Sequence, residues 1–356
     1  MRKEIFGAFA ALLAASGAAE AQTAAPPATC ALPSVVASSD LKEVAGSNLL
    51  TVPVEINGKP QQFLLAVGTN PTEISEAAVG ALGLTGPQST EVFQSAAATQ
   101  SDASMFRNFD TGATMQVTMV DARNAVAQDT RARINVASFT IGGATGHNLR
   151  FVVAPDSEIP KSAPYDGIMS GNFFKQYDVE MDFAGKKLTY LTPNSCPDPN
   201  QIVFWSHKAV AQIPINLSDG KIELQVTIDG HQINAMVDTS SPNSVMRRDV
   251  AEDMLGLKAG RDMTADGDRK DGEGQQIYTH TFPQISLAGV TVLNIPAAIQ
   301  TNGMVHNLHR EAILGSRAQF KSVARIPALT LGMDVLRQLH MYVLYGQQNL
   351  YVTAAN

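Results

Sequence analysis

The chain repeats itself, and this internal repeat constrains its fold more than any other feature of the 356-residue sequence. The stretch VEINGKPQQFLLAVGTNPTEI from Val54 aligns without a gap with VTIDGHQINAMVDTSSPNSVM from Val226. Each copy is an alternating strand, an Asn-Gly or Asp-Gly turn, and a more apolar strand that enters a polar loop, which is the pattern of a β-hairpin. A chain with such a repeat is expected to form two similar units.

The repeat resumes further along each half. FTIGGATGHNLRFVV from Phe139 aligns with ISLAGVTVLNIPAAI from Ile285, and IMSGNFFKQYDVEMDFAGKKLTYL from Ile168 aligns with TLGMDVLRQLHMYVLYGQQNLYVT from Thr330. Each half is therefore predicted to consist mostly of short strands with one or two brief helices. The stretch TPNSCPDPNQ between the halves is rich in turn-forming residues, and we interpret it as a linker.

The N-terminus has the pattern of an export signal. Arg2 and Lys3 precede a short apolar stretch, and a small-residue cleavage site follows at 19–21. We therefore expect an exported protein, periplasmic or secreted; an uncleaved apolar N-terminal helix is the alternative. With the repeat, this predicts five segments: a signal peptide (1–21), an N-terminal segment (22–45), lobe 1 (46–192), a linker (193–208) and lobe 2 (209–354).

Composition indicates which classes of partner to expect and whether the cysteines form a disulfide. A formal net charge of −7 without any basic run argues against a nucleic-acid partner. The two cysteines, Cys30 and Cys196, both lie in proline-rich surroundings, and in an oxidising compartment a disulfide between them is predicted, with two free thiols as the alternative. His306 and His309 have a metal-like spacing but no supporting cysteine or carboxylate cluster, so no metal site and no cofactor are predicted.

Three loops are candidates for a loop that carries a catalytic aspartate. NFDTGATM at 108–115 contains Asp110 in an Asp-Thr-Gly string, AMVDTSSPNSV at 235–245 contains Asp238, and FLLAVGTNPTEIS at 63–75 contains no aspartate. The repeat aligns the second loop with the third, because both follow the apolar strand of a hairpin. Asp110 has no such hairpin before it and falls in a small, polar segment, so we interpret it as a chance match in a surface loop.

These motifs together resemble the bacterial retropepsin-like aspartyl protease family, whose single lobes pair as in pepsin. The resemblance rests on the hairpin with its Asp-Thr loop and on DGIMSGNFF at 166–174 and LTLGMDVL at 329–336, which match the family's later apolar-apolar-Gly motif. It covers most of residues 50–192 and 210–353. The implied fold is all-β, with two acid-protease (retropepsin-like) β-barrel lobes, short helices, and one loop from each lobe meeting at the lobe interface.

The resemblance also implies a role for each loop residue. Asp238 takes the catalytic position, since aspartic proteolysis uses two carboxylates that share one proton and activate a water. Lobe 1 lacks its carboxylate and departs from the family pattern at further positions. The residues concerned are Asp238 with Thr239, Ser240 and Gly332 as its supporting loop, the degenerate counterpart Ala66, Val67 and Gly68, and Ser170 and Asn172 where the family has glycine and aspartate.

Three functional hypotheses follow from this pattern. The favoured one is a degenerate aspartyl-protease-family protein, a pseudoenzyme that binds peptides or is very weakly proteolytic. The second is an active aspartic endopeptidase that forms its dyad from Asp238 of two chains, and the third brings Asp110 in or works with a single carboxylate. The expected partner is a peptide or protein in the cleft between the lobes, for a monomer or homodimer without a membrane span.

Overall fold

The computed structural model describes most of the chain beyond its N-terminal region. The described residues are 33–69, 71–84, 132–193, 203, 210–218, 220–301 and 326–355. The predicted signal peptide, Cys30, Cys196, Asp110 and the pair His306 and His309 lie outside these residues. The expectations attached to them therefore stay predictions.

Short strands dominate the described chain, in agreement with the alternating apolar pattern of the sequence. The strands of the first half are β1 (Val35–Asp40), β2 (Lys42–Glu43), β3 (Leu50–Ile56), β4 (Lys59–Ala66), β5 (Glu73–Ser75), β6 (Arg133–Ile141), β7 (Ala144–Ala154), β8 (Gly167–Ser170), β9 (Asp178–Asp182) and β10 (Lys187–Leu191). The strands of the second half are β11 (Ala211–Pro214), β12 (Asn216–Ser218), β13 (Lys221–Ile228), β14 (His231–Val237), β15 (Ser244–Arg247), β16 (Thr264–Lys270), β17 (Gln276–Leu287), β18 (Val290–Gln300), β19 (Leu329–Leu331), β20 (Leu339–Leu344) and β21 (Asn349–Ala354).

The helices are short and lie between strands. They are α1 (Glu76–Leu82), α2 (Gly171–Phe174), a π-helical turn (Val250–Met254) and α3 (Met333–Leu336). Helix α1 begins at Ser75, whose hydroxyl accepts a hydrogen bond from the Ala78 N–H, and it ends at Gly83 with φ 63°. In the part of the chain that the structure describes, no helix combines the length and the hydropathy needed to cross a membrane.

The first barrel is a closed ring of strands in the order β3-β4-β8-β5-β7-β6, because β6 also pairs with β3. Its first hairpin turns at Asn57 and Gly58, which have φ values of 50° and 74°, as a two-residue type I′ turn requires. Strands β4 and β8 run parallel, with Ala66 level with Ser170. This pairing fixes the position of the end of β4 and therefore the start of the loop that follows it.

The second barrel repeats this arrangement in the order β13-β14-β19-β15-β18-β17, closed by a pairing of β17 with β13. Its hairpin turns at Asp229 and Gly230, with φ values of 48° and 80°. Strands β14 and β19 run parallel, with Val237 level with Leu331. The predicted fold class, all-β with two barrels and short helices, is thereby confirmed.

A six-stranded antiparallel sheet connects the two barrels. Its order is β1-β10-β9-β20-β21-β11, so that the first three strands come from the first half and the last three from the second. At its centre β9 pairs with β20, and Met181 lies level with Met341. The His340 Nε2 atom lies 3.0 Å from the Glu180 Oε1 atom across this seam. The halves therefore share a continuous backbone ladder as well as a packed interface.

Apolar side chains fill the interior of each barrel. In the first barrel Phe63, Phe139 and Phe151 form a cluster with ring centroids 5.3–6.0 Å apart, and all three are buried. Burying one such ring contributes about 1.5–3 kcal/mol relative to exposing it. In the second barrel aliphatic side chains alternate inward along β13, namely Ile222, Leu224, Val226 and Ile228. These rigid barrels hold the ends of β4 and β14 in fixed positions.

Candidate functional site

The loop that follows β14 carries Asp238 and is anchored by backbone hydrogen bonds on both sides. The Asp238 N–H donates to the carbonyl of Leu331 at 3.0 Å, which continues the β14–β19 pairing by one residue. The Asp238 carbonyl accepts from the Ser241 N–H at 3.3 Å, which closes the turn. Asp238 is partly exposed, and these two hydrogen bonds fix the backbone that carries its carboxylate.

The carboxylate of Asp238 has close contacts within its own loop and across the interface. Its Oδ1 atom accepts hydrogen bonds from the Ser240 backbone N–H at 2.9 Å and from the Ser240 hydroxyl at 2.6 Å. On the other side lies Gly68 of the first barrel: a Cβ on Gly68 would stand 2.5 Å from the Asp238 Cγ atom. Position 68 must therefore be glycine for Asp238 to keep this place.

Thr239 joins the two loops directly. Its hydroxyl donates to the carbonyl of Leu65 at 2.7 Å and accepts from the N–H of Val67 at 3.0 Å. The residue is 1% exposed, so both hydrogen bonds are shielded from water. Thr239 thus binds two backbone groups of the first barrel, and it braces one loop against the other.

The loop of the first barrel has the same backbone scaffold but different side chains. The Ala66 carbonyl accepts from the Thr69 N–H at 3.1 Å and from the Thr69 hydroxyl at 3.0 Å. Ala66 and Val67 are both fully buried. The position aligned with Asp238 therefore carries a buried methyl group instead of a carboxylate, and Val67 brings no hydroxyl to the second loop.

A second turn supports the Asp238 loop from behind. The Ser244 N–H and hydroxyl both donate to the Asp334 carboxylate, at 2.9 Å and 2.7 Å, and the Gly332 N–H donates to the Ser244 hydroxyl at 3.0 Å. A Cβ on Gly332 would lie 2.5 Å from the Asn243 carbonyl oxygen. Glycine at 332 is therefore required by the close approach of this backbone.

The equivalent turn of the first barrel uses hydroxyl groups instead. The Ser170 N–H donates to the Thr72 hydroxyl at 3.2 Å, and the two hydroxyl oxygens lie 3.0 Å apart. The Asn172 Oδ1 atom has no hydrogen-bond partner and lies against Gly220 of the second half, where a Cβ would approach it to 2.6 Å. Asn172 thus packs across the interface instead of binding the turn as Asp334 does.

Further contacts between the halves lie beside these loops. The Asn48 side chain donates to the Pro242 carbonyl at 3.4 Å and accepts from the Arg337 guanidinium at 2.6 Å. Gly171 has no room for a side chain because it lies against the Gly220 carbonyl, and Gly220 has none because it lies against Asn172. The first barrel therefore contacts the second barrel at several points near the Asp238 loop.

Lys221 is a residue that the motif comparison missed. Ile222 pairs with Val237 across the β13–β14 hairpin, so Lys221 stands level with Asp238 one residue further along. It is only 9% exposed, which is unusual for lysine. The signal was present in the sequence, because the Asp229-Gly230 turn fixes the register and thus the residue opposite Asp238.

The pKa of Glu223, near the start of β13, is shifted by burial and by two neighbouring side chains. Partial burial raises the pKa of the Glu223 carboxyl, while the hydrogen bond from Asn216 and the nearby Lys221 charge oppose that rise. The Asn216 amide donates to Glu223 Oε2 at 3.2 Å. Of these effects burial is the largest, so the folded protein favours a protonated Glu223 more than the unfolded chain does.

The acidic stretch DGDRKDGEGQQ from Asp266 forms the β16–β17 hairpin. Its turn is closed by Asp271, whose Oδ1 atom accepts from the Glu273 and Gln275 N–H groups at 3.0 Å and 2.8 Å. Its Oδ2 atom accepts from the Thr301 N–H at 3.0 Å. Within the described ranges no group of three or more His, Cys, Asp or Glu side chains is placed to hold a metal ion.

Comparison with known proteins finds one family model and similar solved structures. Residues 224–335 match the family model described as aspartyl protease. Among solved structures the chain is similar to basic 7S globulin from soybean, at 10% sequence identity and a TM-score of 0.46, with 90% of this chain and 95% of that chain covered. No curated protein matches the sequence.

Proposed function

Because residues 224–335 form an aspartyl protease family domain, we propose that this chain is an exported, degenerate member of that family that binds peptide segments between its barrels. The observation that carries the proposal is Ala66. It occupies the position of the first loop that aligns with Asp238, and its side chain is fully buried. The Thr239 hydrogen bonds hold the two loops together without a carboxylate at position 66.

The chemistry supports weak or absent proteolysis. In an aspartic protease one carboxylate takes a proton from the attacking water while the other protonates the carbonyl oxygen of the substrate. A positioned acid–base group typically contributes a factor of about 10²–10⁴ in rate. A methyl group at position 66 supplies neither a proton nor a charge. The Asp238 carboxylate, held by Ser240 on a partly exposed residue, is still able to accept a hydrogen bond from a bound peptide.

An active endopeptidase that pairs Asp238 from two chains is the alternative. The intact turn around Gly332, Ser244 and Asp334 favours it, because this turn keeps its full set of hydrogen bonds. The first barrel argues against this alternative, because it already contacts the Asp238 loop. Its Gly68 lies against Asp238, and it is bound by the Thr239 hydroxyl. A second chain would have to displace those contacts before the two carboxylates could meet.

The first experiment is cleavage and capture of a mixed peptide library by the purified protein across pH 3–7, beside an Asp238→Asn variant. We expect no cleavage or very slow cleavage by either protein. We expect peptide capture by the wild type that weakens in the variant, because the amide lacks the charge of the carboxylate. Cleavage that is rapid in the wild type and disappears in Asp238→Asn would overturn the degenerate assignment.

Sedimentation and N-terminal sequencing complete the test. A monomer with rapid cleavage would favour a route through another carboxylate of the same chain, including Asp110, whereas a dimer with cleavage would favour two Asp238 residues. Sequencing of the exported product is expected to begin at Gln22, and a mass measurement before and after reduction reports whether Cys30 and Cys196 are joined.

A further inference from the structure

Asp238 receives an unusually short hydrogen bond from a residue that the family pattern does not have at that place. The Ser240 hydroxyl donates to Asp238 Oδ1 at 2.6 Å, which is the length of a charge-assisted O–H···O⁻ bond. The backbone N–H of Ser240 binds the same oxygen at 2.9 Å. One carboxylate oxygen thus has two donors from a single residue, where glycine would supply only one.

The first barrel shows what position 240 faces. Gly68 aligns with Ser240, and a Cβ on Gly68 would fall 2.5–2.7 Å from the Cγ, Cβ and Oδ1 atoms of Asp238. In the repeat, Gly68 corresponds to Ser240 and Asp238 corresponds to Ala66. By this symmetry the Cβ of Ser240 faces the side chain at position 66, just as Gly68 faces Asp238. Ala66 ends at its Cβ, whereas an aspartate there would extend three further heavy atoms toward Ser240.

We propose that Ser240 is the positioning residue of Asp238, and that its hydroxyl fixes the carboxylate in place of the missing carboxylate of the first barrel. Its side chain also occupies the space that an aspartate at position 66 would need. The substitutions at 66 and 240 are thus one linked change. This assignment rests on the proposed function in one respect: it treats the Asp238 carboxylate as the group that a bound peptide contacts.

The linked change alters the charge behaviour of the site. Two carboxylates in contact must share a proton, and Ala66 supplies no carboxylate for such a pair. The charged groups on neighbouring elements are Lys221 and Glu223 of the adjacent strand β13 and Asp334, whose carboxylate is bound by Ser244. The Asp238 carboxylate therefore has the Ser240 hydroxyl as a partner, where the family pattern pairs it with a second carboxylate.

The first test follows the titration of the Asp238 carboxyl carbon by NMR in protein labelled at aspartate, with Asp238→Asn to assign the signal. Removal of the hydroxyl in Ser240→Ala is expected to raise the titration midpoint by roughly one pH unit, since the hydroxyl stabilises the ionised carboxylate by donating a hydrogen bond to it. Ser240→Thr keeps a hydroxyl and is expected to restore the wild-type midpoint. An unchanged midpoint in Ser240→Ala overturns the proposal.

The second test is a double-variant cycle that needs no ligand. Ala66→Asp is expected to lower the melting temperature strongly or to prevent folding, whereas Ala66→Asp combined with Ser240→Gly is expected to fold and to recover most of that loss. Equal effects of Ala66→Asp in both backgrounds would contradict the linkage. Both readouts are independent of peptide capture, so a failure of the proposed function and a failure of the Ser240 assignment are distinguishable.

Discussion

The loop after β4 and the loop after β14 share a backbone and differ in chemistry. In both, the residue three positions after the aligned site donates its N–H to the carbonyl at that site, at 3.1 Å in residues 66–69 and 3.3 Å in residues 238–241. The second loop has a carboxylate and a hydroxyl where the first has two apolar side chains. The comparison shows that the turn is held by its backbone hydrogen bonds, so that it persists when the functional side chains are absent.

The supporting turns differ in a complementary way. In the second barrel Gly332 allows a close backbone approach, and Asp334 accepts two hydrogen bonds from Ser244. In the first barrel Ser170 and Thr72 bind each other through their hydroxyl groups. Since Ser170 carries a Cβ where Gly332 has no room for one, the turn of the first barrel cannot follow the same path. At this position the second barrel has no room for a Cβ, whereas the first barrel carries one.

The largest expected effect comes from adding a methyl group to the tighter turn. Gly332→Ala places a Cβ 2.5 Å from the Asn243 carbonyl oxygen, and backbone cannot move away as easily as a side chain. We expect a loss of about 3 kcal/mol in the free energy of unfolding. Chemical denaturation monitored by circular dichroism measures it.

The matched control is Ser170→Gly at the aligned position of the first barrel. It removes one hydroxyl–hydroxyl contact with Thr72 and is expected to cost only about 1 kcal/mol. Equal losses in the two variants would mean that the two turns are equally constrained, and the comparison between the barrels would then be wrong.

A smaller effect is expected where the two loops meet. Thr239→Val keeps the shape of the side chain but leaves the Leu65 carbonyl and the Val67 N–H without their bonds to the hydroxyl. We expect a loss of about 2 kcal/mol, because buried polar groups without partners cost about 1–3 kcal/mol each and the loops are able to relax in part. The melting temperature of the variant measures this loss.

The reciprocal variant is Val67→Thr, which gives the first loop the hydroxyl it lacks. By the symmetry of the repeat this hydroxyl would reach the carbonyl of Val237 and the N–H of Thr239, so the variant is expected to be at least as stable as the wild type. A marked loss of stability in Val67→Thr would show that the two loops are not related by the repeat at this point.

The sequence was sufficient for the parts of this comparison that depend on local pattern. The Asn57-Gly58 and Asp229-Gly230 dipeptides predicted the hairpins, and both turns have the positive φ values expected of them. The gapless alignment of those hairpins then placed Ala66 opposite Asp238 in the repeat. Register follows from turn geometry, so this part of the site could be inferred without any knowledge of tertiary contacts.

The remaining features depend on distances between segments far apart in the chain. Ser240 was expected only as part of the supporting loop, whereas its hydroxyl donates a hydrogen bond to Asp238 at 2.6 Å. The partners of Thr239 lie more than 170 positions away in the chain, and no periodicity encodes which carbonyl a hydroxyl will reach. Asn172 was expected to be only a lost aspartate, whereas it packs against Gly220 across the interface.

The smallest expected effect concerns Glu223, whose aligned residue in the first barrel is the neutral Thr51. Partial burial raises the pKa of Glu223 in the folded state. The folded protein therefore binds a proton that the unfolded chain has released, so stability from this group is present below the unfolded pKa and is lost as the pH rises through the folded pKa. Glu223→Gln keeps an acceptor for Asn216 and removes the charge.

Glu223→Gln is thus expected to match the wild type at acid pH and to be more stable near pH 7. Because the side chain is partly exposed, solvent screening limits the gain to roughly a few tenths of a kcal/mol. Glu55→Gln, at an exposed glutamate of β3 in the first barrel, is the control for removing one negative charge. Unfolding curves of each variant and the wild type at pH 4 and pH 7 measure this gain in stability. A gain that is equal at both pH values, or equal in the Glu55→Gln control, would contradict a role for burial at position 223.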